Sequence, residues 1–126
     1  MNPNISGYQA YKKVQVQTAD QGQLILMCYD GAIKFLNQAL VAMQKGDAAG
    51  KTNFLTRTQN ILWELTSSLN YETGEVAHNL DALYNYMIRR LIDADFHDKP
   101  EAVNEVIGHL TDIKSAWEAI ILKSRT

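Results

Sequence analysis

The chain has 126 residues, of which 46% are apolar and 21% are charged, and its net charge at pH 7 is −2. This length and composition predict a single globular domain over residues 1–126 and exclude a disordered chain. The slightly negative charge excludes the basic surface that holds a nucleic-acid backbone, so we expect no nucleic-acid partner and an apolar contact surface.

Several features of the sequence predict a cytosolic protein. Cys28 is the only cysteine, so no internal disulfide can form, as is usual in a reducing compartment. The segment Met1 to Gly7 has neither a charged leader nor a long apolar core, so we expect no signal peptide. No uninterrupted apolar run approaches about 18 residues, and we expect no membrane insertion.

Four tracts of helical periodicity predict four helices. Their expected bounds, in chain order, are about 20–45, 48–70, 75–95 and 98–123. Gly46 is suited to the left-handed turn that ends helix 1, and Asp47 precedes helix 2. Helix 4 opens with Asp98, Lys99, Pro100 and Glu101, which provide a cap, a proline in the first turn and an early acid.

Apolar residues recur in each tract at spacings of three and four, the pattern of a helix-bundle seam. In helix 4 the seam comprises Val103, Val106, Leu110, Ile113, Trp117 and Ile120. Helix 2 offers Leu55, Leu62, Leu65 and Leu69, and helix 3 offers Leu80, Leu83, Met87, Leu91 and Ala94. Short connections make successive helices antiparallel. The sequence therefore predicts an all-α fold, an antiparallel up-down-up-down four-helix bundle over residues 19–126.

Helix 1 carries a wider apolar arc than a bundle member needs, roughly 200° at about 100° per residue. One side of this arc is formed by Leu24, Cys28, Gly31 and Phe35, which we call the Phe35 row. A glycine inside a helix costs about 1 kcal/mol relative to alanine, and close approach of a second backbone would explain it. We therefore predict that the Phe35 row is a shallow apolar groove for a partner, lowest at Gly31.

The N-terminal segment, residues 1–18, provides a candidate cover for this groove. Ile5, Tyr8, Tyr11 and Val14 are spaced three apart and separated by polar residues, and the four-helix core does not need them. We predict a short amphipathic helix or turn packed on the bundle as a lid, which a partner helix could replace. The alternative is a fifth core element that never leaves. Ile5, Tyr8 and Tyr11 are therefore candidate partner-binding residues, together with the Phe35 row.

Catalytic and metal-binding chemistry has little support in the sequence. Glu75 and His78 have the E-x-x-H spacing of di-iron helix bundles, but the second copy that such a site needs is missing. Cys28 lies in an apolar row without a nearby cation, as expected of a packed thiol. We predict no catalytic residue, no cofactor and no metal site. A metalloenzyme of the bundle core is the weaker alternative, which metal analysis would test.

Aromatic residues outside the seams are further candidates for a contact surface. Tyr84 falls near the inner arc of helix 3 and is predicted to be core, whereas Tyr86 falls outside it and is predicted to be exposed. Trp63 lies off the seam of helix 2, either as an edge residue of the core or as part of a contact surface. Arg89 and Arg90 of helix 3 could contact an acidic partner, but we predict that they are solvated charges near the carboxyl half of the helix.

Several short motifs, taken in order, resemble the flagellar secretion chaperones of the FliS family. They are Tyr8-Gln-Ala-Tyr11, then Leu26-Met-Cys-Tyr-Asp-Gly-Ala32, then Leu83-Tyr-Asn-Tyr-Met87 followed by Arg90-Leu91 and Ala94, and finally Trp117. Cys28 departs from the family, which usually has leucine at this position. Cysteine is a smaller apolar residue, so the groove is expected to be slightly deeper here.

The resemblance implies a function and a set of partners. Members of the family bind the disordered C-terminal segment of flagellin in the cytoplasm, prevent its premature polymerisation and keep it ready for flagellar type III secretion. It implies an antiparallel helical bundle whose N-terminal segment the client can displace, and export-gate components or a regulatory protein as further partners. We expect a monomer or a weak homodimer. The alternative from another class is a helical-bundle adaptor or regulator that binds a different amphipathic helix.

Overall fold

A computed structural model describes residues 21–69 and 74–124, which form four α-helices and no strand. The helices are α1 (Gln21–Lys45), α2 (Ala48–Ser67), α3 (Glu75–His97) and α4 (Pro100–Ser124). Their ends lie within three residues of the expected ones, so the four predicted helices are confirmed. The predicted lid, with Ile5, Tyr8 and Tyr11, lies outside the described residues.

The helices form a ring in which each contacts two neighbours. α1 packs against α2 and α4, and α3 packs against the same two helices from the opposite side. The aromatic ring of Phe35 stacks on Phe54, whereas Gly31, one turn earlier, faces Ile61 further along α2. Residues further along α1 thus meet residues earlier in α2, so the two helices are antiparallel. This arrangement confirms the all-α four-helix bundle.

The core is built from the inner seams that the spacing predicts. Its buried members include Tyr29, Ala32 and Leu36 of α1, Leu55 and Leu62 of α2, Met87 and Leu91 of α3, and Val103, Val106 and Leu110 of α4. The predicted seam of α4 is wrong at its last member, because Ile120 is 57% exposed. Ile120 lies one turn beyond Trp117, towards the end of the bundle where α1 begins.

The ends of the helices follow local rules, with one exception. Gly46 has a φ of 71°, and the Asp47 carboxylate caps α2 by accepting a hydrogen bond from the Gly50 N–H at 3.0 Å. Asp98, expected to cap α4, instead ends α3 in the left-handed conformation, with a φ of 49°. Its carboxylate accepts a hydrogen bond from the Lys51 ammonium at 2.5 Å. Because Lys51 is buried, it requires this anion.

Candidate partner-binding face

The Phe35 row lies on the side of α1 that faces α2, and its four members are half-buried. A methyl group at Gly31 would lie 3.7 Å from the Ile61 Cδ1, an ordinary van der Waals distance. Within the described residues, the atom that approaches Gly31 therefore belongs to a side chain of α2, and the approach of a covering backbone stays a prediction. Because Gly31 has no side chain of its own, it remains the low point of the row.

Phe35 contacts two side chains of α2. Its ring centroid lies 6.4 Å from that of Phe54, with an angle of 24° between the planes, which is a stacked geometry. The guanidinium carbon of Arg57 lies 5.7 Å from the Phe35 centroid, within cation–π range. Arg57 is held there by Asn53, whose side-chain oxygen accepts a hydrogen bond from the Arg57 Nε at 3.2 Å. Phe35 is thus fixed in place while part of it stays accessible.

Phe54 and Ile61 complete the site, and the sequence reasoning missed both. Each lies one position before a seam residue, Leu55 or Leu62, and therefore beside the seam of α2. Both face α1, where Phe54 stacks on Phe35 and Ile61 lies against Gly31. The signal was available as two apolar pairs, Phe54-Leu55 and Ile61-Leu62, spaced seven residues apart. We call the Phe35 row together with Phe54 and Ile61 the α1–α2 face.

A buried hydrogen-bonded cluster lies beneath this face. The Tyr29 hydroxyl of α1 lies 2.5 Å from the Tyr84 hydroxyl of α3, and the Trp117 Nε1 of α4 donates to the Tyr29 oxygen at 3.0 Å. Burial raises the pKa of Tyr29 and, more strongly, that of Tyr84. Both phenols therefore stay neutral. The cluster joins three helices and gives α1 a fixed position behind the Phe35 row.

A second polar network occupies the surface between α3 and α4. The Glu105 carboxylate accepts hydrogen bonds from the Tyr86 hydroxyl at 2.6 Å and from the Arg90 Nε at 3.0 Å, and His109 lies 3.1 Å away. These contacts, led by the Tyr86 hydrogen bond, lower the pKa of Glu105. Tyr86 is exposed and Tyr84 is buried, as predicted. Arg90 also pairs with Asp93 at 3.0 Å, so it is not simply solvated.

Exposed apolar side chains also occur away from the α1–α2 face. Trp63 of α2 is 52% exposed, so it is not a core residue, and its role in a contact surface stays a prediction. On α3, Ile92 is 41% exposed and Phe96, one turn later, is 80% exposed. Large apolar side chains at this degree of exposure are candidates for contacts with other proteins when they lie together.

The structure also bears on the metal hypothesis. Glu75 and His78 are both exposed on the first turn of α3, rather than directed into the bundle as the di-iron arrangement requires. Within residues 21–69 and 74–124, no three His, Cys, Asp or Glu side chains lie together as metal ligands. The pair therefore has the spacing of a di-iron ligand pair but not its inward position.

One helix of the described part, Gly22–Lys45, is long and apolar enough to cross a membrane by length and composition alone. The core helix of a bundle passes the same test. The inner residues of this helix, among them Tyr29, Ala32 and Leu36, are buried against the other three helices. The apolar character of α1 is thus used in the core and in the α1–α2 face.

Comparison with known proteins gives a family that covers nearly the whole chain. A family model described as flagellar protein FliS matches residues 4–124. The flagellar secretion chaperone FliS of Bacillus subtilis (strain 168) is 37% identical over 118 residues, which cover 94% of this chain and 88% of that protein. The protein of the same name from Salmonella typhimurium is 39% identical over 125 residues, which cover 94% of this chain and 93% of that protein.

A third relative extends the comparison to another genus. The flagellar secretion chaperone FliS of Vibrio cholerae is 37% identical over 117 residues, which cover 89% of this chain and 86% of that protein. All three relatives are named as chaperones, which is a non-enzymatic role. The family that the motifs predicted is confirmed, and the chain belongs to the FliS family of flagellar secretion chaperones.

Proposed function

We propose that this chain is a cytosolic export chaperone for flagellin. It binds the disordered C-terminal segment of flagellin, prevents premature polymerisation and keeps the subunit competent for flagellar type III secretion. Membership of the FliS family supports this function. The structural observation that carries it is the half-buried α1–α2 face, where Phe35, Gly31 and Ile61 leave apolar surface for a partner on a helix pair that is already folded.

A disordered client suits this face for a thermodynamic reason. A segment that orders on binding loses conformational entropy, so it binds with modest affinity for the area that it covers. An export chaperone must release its client, and modest affinity makes release possible. The face is held by core contacts on its inner side, so the chaperone itself needs little reorganisation to bind.

The N-terminal segment takes part in this proposal as a lid. Ile5, Tyr8 and Tyr11 belong to an amphipathic pattern of the kind that a groove accepts. We propose that this segment covers the Phe35 row in the free protein and yields to the client. Removal of residues 1–18 should then raise the affinity for flagellin, because the client no longer competes with the chain's own segment.

Calorimetric titration tests the function directly. The full chain is titrated with the C-terminal segment of flagellin from the same organism, and with the N-terminal segment as the control. We expect saturable one-to-one binding of the C-terminal segment, with the negative heat-capacity change of apolar burial. No binding of the C-terminal segment by the folded protein would show that flagellin is not the client.

The exposed pair Ile92 and Phe96 favours a second binding role. Because they lie one turn apart on α3, away from the α1–α2 face, they offer a separate apolar contact for an export-gate component or a regulatory protein. An adaptor that binds other amphipathic helices would use the same kind of surface. Equal affinity for flagellin and for unrelated amphipathic peptides would favour this second candidate over a dedicated flagellin chaperone.

A further inference from the structure

Two positive charges flank the α1–α2 face at the level of Phe35. Arg57 is exposed on α2, and its guanidinium carbon lies 5.7 Å from the Phe35 ring centroid. Lys34 is exposed on α1 immediately before Phe35, and on a helical wheel it lies next to Gly31 at the outer edge of the row. Each of the two helices therefore places one cation at the edge of the α1–α2 face.

These cations are not neutralised by the described part of the protein. The ion pairs of residues 21–69 and 74–124 use other groups: Lys114 pairs with Asp30 at 2.6 Å, and Lys51 pairs with Asp98. Neither Lys34 nor Arg57 takes part in an ion pair there. The chain as a whole has a net charge of −2, so this local excess of positive charge runs against the average.

Apolar surface edged by two cations that form no ion pair within the described residues is complementary to one class of partner. We propose that the segment bound on the α1–α2 face is an amphipathic helix whose apolar stripe is edged by carboxylates that meet Lys34 and Arg57. This inference rests on the proposed function and specifies the chemistry of the client at that site. Complementary charge at the edge of an apolar contact speeds encounter and fixes orientation more than it adds affinity.

The positions of Lys34 and Arg57 predict how the client segment is oriented along the α1–α2 face. Both cations lie at the Phe35 end of the row, so the carboxylates of the client belong at that end, and its neutral apolar turns belong against Gly31 and Cys28. Arg57 is already oriented by Asn53 and by the Phe35 ring. Because its side chain is ordered before binding, less rotamer entropy is lost when a carboxylate meets it.

Association kinetics with the C-terminal flagellin segment test this inference. The double variant Lys34→Glu/Arg57→Glu is compared with the wild type and with the control Lys45→Glu/Arg89→Glu. The control makes the same change in net charge at exposed cations that lie at the end of α1 and on α3. Circular dichroism establishes that each variant is folded. The association and dissociation rate constants are measured at about 50 mM and about 500 mM salt, where the screening length differs by about threefold.

We expect the association rate constant of the double variant to fall about tenfold at low salt, with little change in the dissociation rate constant. At high salt the difference should largely disappear, and the control should stay within about twofold of the wild type throughout. A client segment with lysine in place of its edge carboxylates should bind the double variant faster than it binds the wild type. If the double variant fails to fold, Lys34→Gln/Arg57→Gln replaces it, with an expected fall of about threefold.

The failure of this inference differs from the failure of the proposed function. If the wild type binds flagellin and the double variant binds it equally fast at low salt, the acidic edge is wrong and the chaperone function stands. An equal slowing in the control would also overturn the inference, because only net charge would matter. If the wild type does not bind flagellin, the proposed function and this inference are both wrong.

Discussion

The hydroxyl of Tyr29 on α1 lies 2.5 Å from the hydroxyl of Tyr84 on α3, so a hydrogen bond joins the two helices across the diagonal of the bundle. The Trp117 Nε1 of α4 donates to the same Tyr29 oxygen at 3.0 Å. Tyr29 is therefore the central member of this cluster, because both of its partners depend on its one hydroxyl group. Removing that hydroxyl takes this partner from both the Tyr84 hydroxyl and the Trp117 Nε1, whereas removal of the Tyr84 hydroxyl leaves Tyr29 with its hydrogen bond from Trp117.

We expect Tyr29→Phe to lower the free energy of unfolding by about 2–3 kcal/mol, because a buried polar group left unpaired costs about 1–3 kcal/mol. Tyr84→Phe should lower it by about 0.5–1.5 kcal/mol, the net contribution of one hydrogen bond, because Tyr29 keeps its bond from Trp117. Urea denaturation with an unchanged m value measures both effects. The double variant should be less destabilised than the sum of the two. A larger cost for Tyr84→Phe than for Tyr29→Phe would contradict the central position of Tyr29.

Periodicity predicted the four helices because each buries one stripe, and the residues of that stripe recur at a fixed spacing. Tyr29 and Leu110 were placed correctly for this reason. Lys51 and Thr58 break the apolar pattern yet lie at buried positions of the α2 stripe. Polar residues at seam spacing were therefore a usable signal for buried hydrogen bonds, which the sequence reasoning did not use.

The candidate site could be predicted only in part. The excess of apolar surface on α1 marked the Phe35 row, but periodicity does not say which helix lies against it. The row meets Phe54 and Ile61, so part of the excess is used in packing α1 against α2. The contact between Arg57 and Phe35 joins residues of different helices. Such contacts depend on how two helices are aligned, which the pattern within one helix does not contain.

The low pKa of Glu105 predicts a stability difference that depends on pH. The Tyr86 hydroxyl donates to this carboxylate, and His109 and Arg90 also contact it, so its pKa is lower in the folded state than in the unfolded one. A carboxylate whose pKa is lowered by folding stabilises the protein at any pH above its pKa in the unfolded state, about 4.3. This stabilisation is lost as the pH falls through its pKa in the folded state. We therefore expect Glu105→Gln to be less stable than the wild type at pH 6, with the difference shrinking below about pH 4.

Asp93 also has a lowered pKa, because Lys99 and His97 donate hydrogen bonds to it. Protonation of Asp93 in acid destabilises the wild type and Glu105→Gln to the same extent. The difference in the free energy of unfolding between these two proteins therefore reports on Glu105 alone. Denaturant titrations at several pH values between about 3 and 7 measure this difference, with Tyr86→Phe as a variant in which it should be reduced. A difference that is constant over this range would show that the pKa of Glu105 is the same in both states.

Replacement of Gly31 separates folding from binding. A methyl group there would lie 3.7 Å from the Ile61 Cδ1, so alanine fits without strain. Because alanine favours the helix over glycine by about 1 kcal/mol, Gly31→Ala should raise the free energy of unfolding by about 0.5–1 kcal/mol. Thermal unfolding measures this gain, and a loss of stability would mean that α1 and α2 lie closer than described.

The same variant tests the groove. The added methyl group fills the low point of the Phe35 row, so a client side chain seated there loses contacts. We expect the affinity for the C-terminal flagellin segment to fall about threefold to tenfold, although the protein is more stable. Unchanged affinity with the expected gain in stability would place the client elsewhere on the row.

Phe35→Ala removes the largest side chain of the Phe35 row and its stack on Phe54. Because Phe35 is only half-buried, the expected loss of stability is about 2 kcal/mol, below the 3–5 kcal/mol of a fully buried phenylalanine. The bundle should stay helical by circular dichroism, since its seams are intact. Titration with the flagellin segment should show an affinity at least about tenfold lower.

Val103→Ala provides the matched control for this loss of affinity. Val103 is fully buried on α4, outside the α1–α2 face, and its replacement should also lower stability by about 2 kcal/mol. If binding depends on the face itself, Val103→Ala binds the flagellin segment as tightly as the wild type, whereas Phe35→Ala does not. An equal loss of affinity in the two variants would mean that binding follows overall stability, and Phe35 would then be a core residue rather than a contact for the client.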